Sequence, residues 1–342
     1  MKMRTPDSRL QTPDLPYDAI LLVSFGGPEG MDDVIPFLEN VLRGRNVPRE
    51  RMLAVAQHYY LFGGVSPINE QNRQLIVALR RELETNGPRL PIYWGNRNWH
   101  PLLSETILQM SDDGIRHALA FVTAAYSSYS SCRQYRENIV SAREEVGPSA
   151  PRVDKIRAFY NHHGFIQANA ENVLTALAQI PAPLRDAAQL VFTAHSIPES
   201  MAQNCRYEAQ LEETARLTAM AAQHPSWTLA YQSRSGPPTQ SWLGPDILEC
   251  LTSFKASGIT NVVVAPIGFV SDHMEVVYDL DVAARKLSEE IGLKLVRART
   301  PGTHPAFIRM IRDLIVERTD AISEGIRAEP DVCGVNCCLP QN

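Results

Sequence analysis

The sequence predicts an α/β protein made of two tandem, doubly wound, Rossmann-like parallel-sheet domains with an interdomain cleft. Three observations predict it. Short apolar runs rich in Val, Ile and Leu recur without an alternating polar face, the pattern of strands buried on both sides. Longer stretches of helical periodicity separate them, and alternation of this kind gives parallel sheets flanked by helices. The whole theme then repeats after Gly147-Pro148-Ser149-Ala150-Pro151, which has the composition of an inter-domain linker.

In chain order, residues 1–17 form a polar, proline-containing lead, expected to be disordered and lacking the apolar core of a signal peptide. The first domain, 18–150, opens with a strand over 18–25 that breaks at Gly26-Gly27-Pro28. A helix over 31–42, a sharp turn at Gly63-Gly64-Val65-Ser66-Pro67 and a helix over 69–84 follow. Strands over 90–94 and 117–124 and helices over 101–111 and 134–145 complete it. The second domain, 151–325, has strands over 155–160, 188–193, 227–232, 262–265 and 294–298. Its helices run over 164–179, 208–223, 246–257, 279–291 and 305–324, the last free to pack back on the first domain. Residues 326–342 form a cysteine-containing tail.

With 44% hydrophobic and 21% charged residues in a chain of 342, the composition is that of a globular protein with ample core. A net charge of −5 without a basic block argues against nucleic acid as partner. No apolar run approaches the ~20 residues of a membrane span, and a cytoplasmic protein is expected. The six cysteines are unevenly placed: Cys132, Cys205 and Cys250 are scattered, whereas Cys333, Cys337 and Cys338 crowd the last ten residues. In a reducing compartment such clustering suggests metal more than disulfide.

The stretch from Asn261 to Asp281 concentrates the chemistry. Val262-Val263-Val264-Ala265 reads as a buried strand, and Pro266 and Gly268 end it. Ser271, Asp272, His273, Glu275, Asp279 and Asp281 follow. A helix begun near Ser271 would put Glu275 and Asp279 on one face, a turn apart. Two such carboxylates repel unless a cation or proton lies between them, and strand ends of this kind are where α/β proteins bind ligands. A solvated first turn favoured by the helix dipole explains the same acids. His195, just past the strand ending at Thr193, is a structural histidine or a base facing those carboxylates. The Gly26-Gly27 loop is not a dinucleotide fingerprint and no P-loop lysine follows it. Arg43, Arg45, Arg49 and Arg51 lie within nine residues: a solvated loop, or guanidinium partners for an anionic ligand. Tyr126 to Ser131 form a polar, aromatic strand end suited to one wall of a pocket.

Thr193-Ala194-His195-Ser196-Ile197-Pro198, followed by Pro266-Ile267-Gly268-Phe269-Val270-Ser271-Asp272-His273-Met274-Glu275, resembles the ferrochelatase family, enzymes that insert Fe2+ into a porphyrin. Ser24-Phe25-Gly26-Gly27-Pro28, Gly63-Gly64-Val65-Ser66-Pro67, Tyr231-Gln232-Ser233-Arg234-Ser235-Gly236-Pro237 and Trp242-Leu243-Gly244-Pro245-Asp246 extend the likeness over residues 18 to 325 in the family's order. The combination is specific; no single motif is. The resemblance implies a chelatase-type fold that bends the macrocycle in the cleft between the domains. His195 then accepts protons or delivers the metal, Glu275 faces it, and Asp279 continues an acidic track. Some members carry a further acid where this chain has Ala283.

Other assignments come from the same resemblance. Phe25 stands where some bacterial members have an iron-ligating tyrosine. Tyr126 is the substitute candidate for an axial phenolate, with stacking on the macrocycle as the alternative, and Ser66 belongs to the substrate-binding set. Charge at residues 43–51, where members using protoporphyrin carry an apolar lip, makes Arg43 and Arg45 candidates for propionate contacts. The chain therefore looks most like the actinobacterial coproporphyrin III ferrochelatases. Cys132, Cys333, Cys337 and Cys338 resemble the ligands of a [2Fe–2S] cluster, although Cys337 and Cys338 are adjacent; zinc or free thiols are the alternatives. Cys205 and Cys250 are read as non-ligands. The implied partners are the porphyrin, Fe2+ and transient contacts with neighbouring haem-pathway enzymes, on a monomer. Protoporphyrin IX as substrate, a cobalt or nickel chelatase, and a non-enzymatic haem or iron–sulfur sensor are the competing readings.

Overall fold

β1 (Ala19–Ser24) is buried along its whole length and sits inside a four-stranded parallel sheet, order β2-β1-β3-β4. Its partners are β2 (Ile92–Asn96), β3 (His117–Val122) and β4 (Arg152–Lys155). A second parallel sheet, order β6-β5-β7-β8, repeats that order with β5 (Gln189–His195), β6 (Trp227–Gln232), β7 (Asn261–Ala265) and β8 (Lys294–Arg297). The computed structural model describes residues 15–45, 47–236, 239–323 and 337–339; Cys333, most of the N-terminal lead and most of the tail lie outside them. Among the described residues no helix is long and apolar enough to cross a membrane.

Two elements differ from expectation. The strand expected over 155–160 to open the second half is instead β4, and it pairs in register with β3, His117 with Arg152 through Ala120 with Lys155. Sheet pairing thus places Arg152–Lys155 in the first half, and the Pro/Gly-rich segment before it joins two elements of one sheet. The second difference is a helix, α2 (Arg49–Tyr60), that begins at the end of the arginine-rich stretch, for which a solvated loop was one reading. It follows α1 (Val34–Leu42). Only Met52, Ala56 and Tyr59 of α2 are buried, spaced four and three apart, so its apolar stripe is narrow. They pack with Val34, Phe37 and Leu38 of α1 and with Met274 from the second half.

The largest core belongs to neither sheet alone. Ile20, Leu22, Leu119 and Phe121 of the first sheet meet Leu75, Leu79 and Leu83 of α3 (Ile68–Asn86). Phe165 of α6 (His163–Leu177) joins them, with Ala194, Ile197, Tyr207, Tyr231 and Val270 of the second half. The last long helix, α12 (Pro305–Ser323), drives Phe307, Met310, Ile311, Leu314 and Ile315 into the same cluster and packs on both α3 and α6. Each such fully buried side chain contributes roughly 1.5–3 kcal/mol. Gly164 allows the α6–α12 approach, since a Cβ there would lie 2.6 Å from the Ala306 carbonyl oxygen. Arg157 grips Glu317 through two hydrogen bonds of 2.9 and 3.0 Å, which ties the end of α12 to the segment after β4.

Candidate functional site

The carboxyl ends of the two sheets face each other, but different chemistry fills them. At the first, the glycine loop is bound internally. Asn69 Nδ2 donates to the Gly27 carbonyl at 3.1 Å, and Asn72 Nδ2 to Ser24 Oγ at 2.8 Å. Gly26 takes φ +81°, and a Cβ there would meet Asn96 Cβ at 2.8 Å. Ser66 is 3% exposed and packs on Gly27, so this expected substrate contact instead shapes the loop. Phe25 is half-buried, with the Arg97 guanidinium 5.6 Å from its ring centroid; the same guanidinium lies 4.6 Å from Tyr135.

The expectation for Tyr126 is corrected. Its ring is 2% exposed in the shared core, and its hydroxyl donates to the Ile267 carbonyl at 2.8 Å. It therefore fastens the end of β3 to the loop after β7 and faces no axial position. The serines beside it cap their own turn: Ser128 Oγ accepts from Ser131 N at 3.1 Å, and Ser131 Oγ donates to the Tyr126 carbonyl at 2.8 Å.

At the second sheet the glycine has a different task. Gly268 N donates to the Thr193 carbonyl at 3.0 Å, and a Cβ on Gly268 would fall 2.6 Å from Ala194 Cα. This approach presses the loop after β7 onto β5 and brings Glu275 to His195, with Nε2 3.7 Å from Oε1. His195 is braced from behind: its Nδ1–H donates to the Ser196 carbonyl, Tyr207 donates to the His195 carbonyl at 3.0 Å, and Ser196 Oγ donates to the Leu243 carbonyl at 2.7 Å. The Trp242-Leu243-Gly244-Pro245 stretch thus acts as scaffolding for the histidine loop. The acidic helix starts at α10 (Met274–Val276), capped by His273 Nδ1 accepting from Glu275 N at 3.2 Å. It widens into a π-helix over Val277–Ala284 before α11 (Arg285–Glu290). Such widening inside a helix is frequent at functional sites.

The acids sort into two kinds. Asp272 receives both terminal nitrogens of Arg297 at 3.2 Å and Thr300 Oγ1 at 3.1 Å, while Arg297 Nε donates to Asp281 at 2.8 Å. Gln71 of α3 accepts from Asp272 N at 2.8 Å, anchoring this loop to the first half. Asp272 and Asp281 are therefore neutralised. Glu275 and Asp279 have no arginine or lysine partner among the described residues; only histidines stand against Glu275, and Gln232 and Ser233 against Asp279.

Their protonation follows from these surroundings. Burial opposes charge on His195, but the Glu275 carboxylate and the Ser196 carbonyl outweigh it and push the imidazole up to about 9. Burial would raise Glu275, yet His195 and then His273 hold it down at about 2. Asp279 is raised to about 6, first by burial and then by the Glu275 charge, against the opposing hydrogen bond from Ser233. His273 is lowered by burial. The site at neutral pH is an imidazolium–carboxylate pair with a second, weakly acidic carboxyl beyond it. His195 and Glu275 keep 31% and 48% of their side-chain surface exposed, so a cation or a planar ligand has access to both.

Arg43 and Arg45 are exposed at the rim; Arg43 bonds Asn40 at 2.5 Å, and the charge of Arg45 reaches Tyr129. α2 crosses to the second half here. Arg51 donates to the Gly236 carbonyl at 3.4 Å, and His58 stacks on Tyr278 with ring centroids 3.5 Å apart. Of the four expected cluster cysteines, Cys132 and Cys338 are buried and Cys337 half-buried, with 3.5 Å between the Cys337 and Cys338 sulfurs. Arg133 donates to the Cys337 carbonyl at 3.0 Å, which brings the tail to the turn carrying Cys132. Burial, then Cys337, then Cys132 and Cys205 push the Cys338 thiol upward. Among the described residues no group of three or more His, Cys, Asp or Glu side chains is arranged to hold a metal ion. Cys250 lies elsewhere, in the core behind β6 and β7.

Comparison with known proteins gives the fold and the family. A chelatase from Bacillus subtilis, SirB with Fe3+, superposes with a TM-score of 0.53 at 12% identity, covering 90% of this chain and 97% of its own; this likeness shows the fold. A ferrochelatase from Rhodopirellula baltica is 57% identical over 331 residues, 95% of this chain and 94% of its own. A coproporphyrin III ferrochelatase from Streptomyces coelicolor is 48% identical, covering 94% and 93%, and another from Mycobacteroides abscessus is 50% identical over 88% of each chain. The family model described as ferrochelatase matches residues 17–319, through both sheets and every strand end described above. The chain belongs to the ferrochelatase family.

Proposed function

We propose that this chain inserts Fe2+ into coproporphyrin III to give coprohaem, with His195, Glu275 and Asp279 as the reacting side chains. The observation that carries the chemistry is the His195–Glu275 pair at 3.7 Å, with Asp279 as the next open carboxylate along the same helix. Metallation exchanges two pyrrole N–H protons for one dication. Glu275, ionised at neutral pH, attracts Fe2+, and the arriving charge opposes the imidazolium, whose proton passes to solvent water at the exposed edge of the ring. Neutral His195 can then take a pyrrole proton, and ionised Asp279 a second, as the iron passes to the ring nitrogens. The facing wall, with Phe25 and Arg97, holds the macrocycle in place.

The choice of coproporphyrin rests on charge. Four exposed arginines at the rim suit the four carboxylates of that substrate, and the 47–50% identical relatives carry the name coproporphyrin III ferrochelatase. Arg43 and Arg45 are proposed as the propionate contacts. The test is anaerobic insertion with Fe2+ and either coproporphyrin III or protoporphyrin IX. Rapid coprohaem formation is expected, and preference for protoporphyrin would overturn the substrate assignment. We also propose a [2Fe–2S] cluster on Cys132, Cys333, Cys337 and Cys338. Its support is the likeness of these four cysteines to the family's cluster ligands and the contact of the tail, through Arg133 and the Cys337 carbonyl, with the turn that carries Cys132. Iron and acid-labile sulfide in the purified protein, lost in Cys132→Ala, test it. The reading places a monomer in the cytoplasm, in transient contact with neighbouring haem-pathway enzymes.

A further inference from the structure

We infer that Gln71 is a positioning residue that sets the width of the cleft, and with it how far the macrocycle is bent, by fastening the loop that leads to Glu275 onto the opposite wall. The inference rests on the proposed porphyrin chemistry and deepens it. The first turn of α3 carries three amide side chains. Asn69 and Asn72, buried and three residues apart, share one face of the helix and hold the first wall. Asn69 does so through the Gly27 carbonyl at 3.1 Å, Asn72 through Ser24 Oγ at 2.8 Å. Gln71 lies about 100° round the helix from Asn72 and so leaves that face. Its Oε1 accepts from Asp272 N at 2.8 Å, across 201 residues of chain. The N–H donor opposite it fixes which end of the amide points there. From the second half, Arg297 and Thr300 hold the Asp272 carboxylate, and Arg297 also reaches Asp281 beyond Glu275 and Asp279. The first half grips the same loop again at Ile267, through Tyr126. Phe25, next after Ser24, and Glu275, three residues after Asp272, are thus both referred to one helical turn. The spacing of the two walls passes through that turn and one glutamine side chain, and an unanchored link changes the space in which a bent ring is held.

Two substitutions separate positioning from packing. Gln71→Met keeps the length of the side chain and removes the acceptor, whereas Gln71→Glu keeps an acceptor oxygen at the same reach. The readouts are the out-of-plane macrocycle lines in the resonance Raman spectrum of bound coproporphyrin III, and kcat against KM for that porphyrin with Fe2+. Gln71→Met is expected to lose most of the out-of-plane intensity and to lower kcat about ten- to hundredfold, with KM within about twofold of the parent. Gln71→Glu is expected to restore both the lines and kcat. A merely structural role would lower the urea midpoint and leave the ring lines of the folded protein as they are. That result in Gln71→Met, or a Gln71→Glu variant that behaves like it, would overturn the inference. A parent protein that binds coproporphyrin III but metallates neither porphyrin would sink the proposed function; the width of the cleft then stands or falls on the Raman lines alone.

Discussion

The two sheets share one strand order and one connectivity, yet their carboxyl ends do opposite things. The first ends in amides, aromatic rings and guanidinium groups: Asn69, Asn72, Asn96, Phe25 and Arg97. The amides and the phenyl ring among them carry no ionisable proton. The second ends in His195, Glu275 and Asp279, set at about 9, about 2 and about 6 by one another and by burial. A repeated fold has divided the labour. In the proposed reaction, one wall is the fixed surface for a planar ligand, and the other is the one that moves protons and accepts a cation.

The sharpest way to break this comparison is to alter the proton-moving wall. His195→Ala and Glu275→Gln should each lower insertion by about 10²–10⁴-fold while porphyrin binding, followed by quenching of its fluorescence, is retained. A comparable loss of turnover in Phe25→Leu would end the division of labour. Next in size is Gly268→Ala. Its methyl group would press on Ala194 at 2.6 Å and destabilise the fold by about 1–3 kcal/mol, seen as a lower urea midpoint. It should also separate His195 from Glu275, so insertion falls more than stability alone explains. Arg45→Ala, on the rim, should raise KM for coproporphyrin III about five- to tenfold at unchanged kcat, a difference that shrinks above ~0.5 M salt.

The smallest effect concerns stability. The carboxyl of Asp279 has a folded value of about 6 against 3.8 when unfolded, so between these the native state binds more protons. Stability is then lost as pH rises from about 4 to 6, and the full penalty persists above 6. Asp279→Asn should therefore melt higher than the parent at pH 8, by about 2–4 °C for each kcal/mol recovered, with no gain at pH 4. The same variant should lose activity.

Sequence reading reached the alternation of strands and helices, the two strand-end motifs and the His195–Glu275 pair, because each has a local pattern. It missed what depends on distant partners. Asp272 and Asp281 look like Glu275 and Asp279 in the chain; Arg297, 16 residues beyond Asp281, pairs with the first two and leaves the others without an arginine partner among the described residues. Tyr126 reads as a pocket residue until its hydroxyl finds Ile267, 141 residues away. α2 hides because an arginine-rich segment with only three buried positions carries little helical pattern. β4 was read into the wrong half because a four-residue strand does not reveal its neighbour.

The position of α12 has a consequence in time rather than in space. Its apolar face completes a core that already holds β1, β3, α3 and the loop after β5. During synthesis the first sheet can be extruded whole, and the second as far as β8, while that core still lacks Phe307, Met310, Ile311, Leu314 and Ile315. His195 borders this core through Ala194 and Ile197, so the pair it makes with Glu275 gains its full support only when residues 305–323 have left the ribosome. Nascent chains stalled before that point should expose the open seam to proteases and chaperones, and competence should arrive in one step once α12 has emerged rather than half by half.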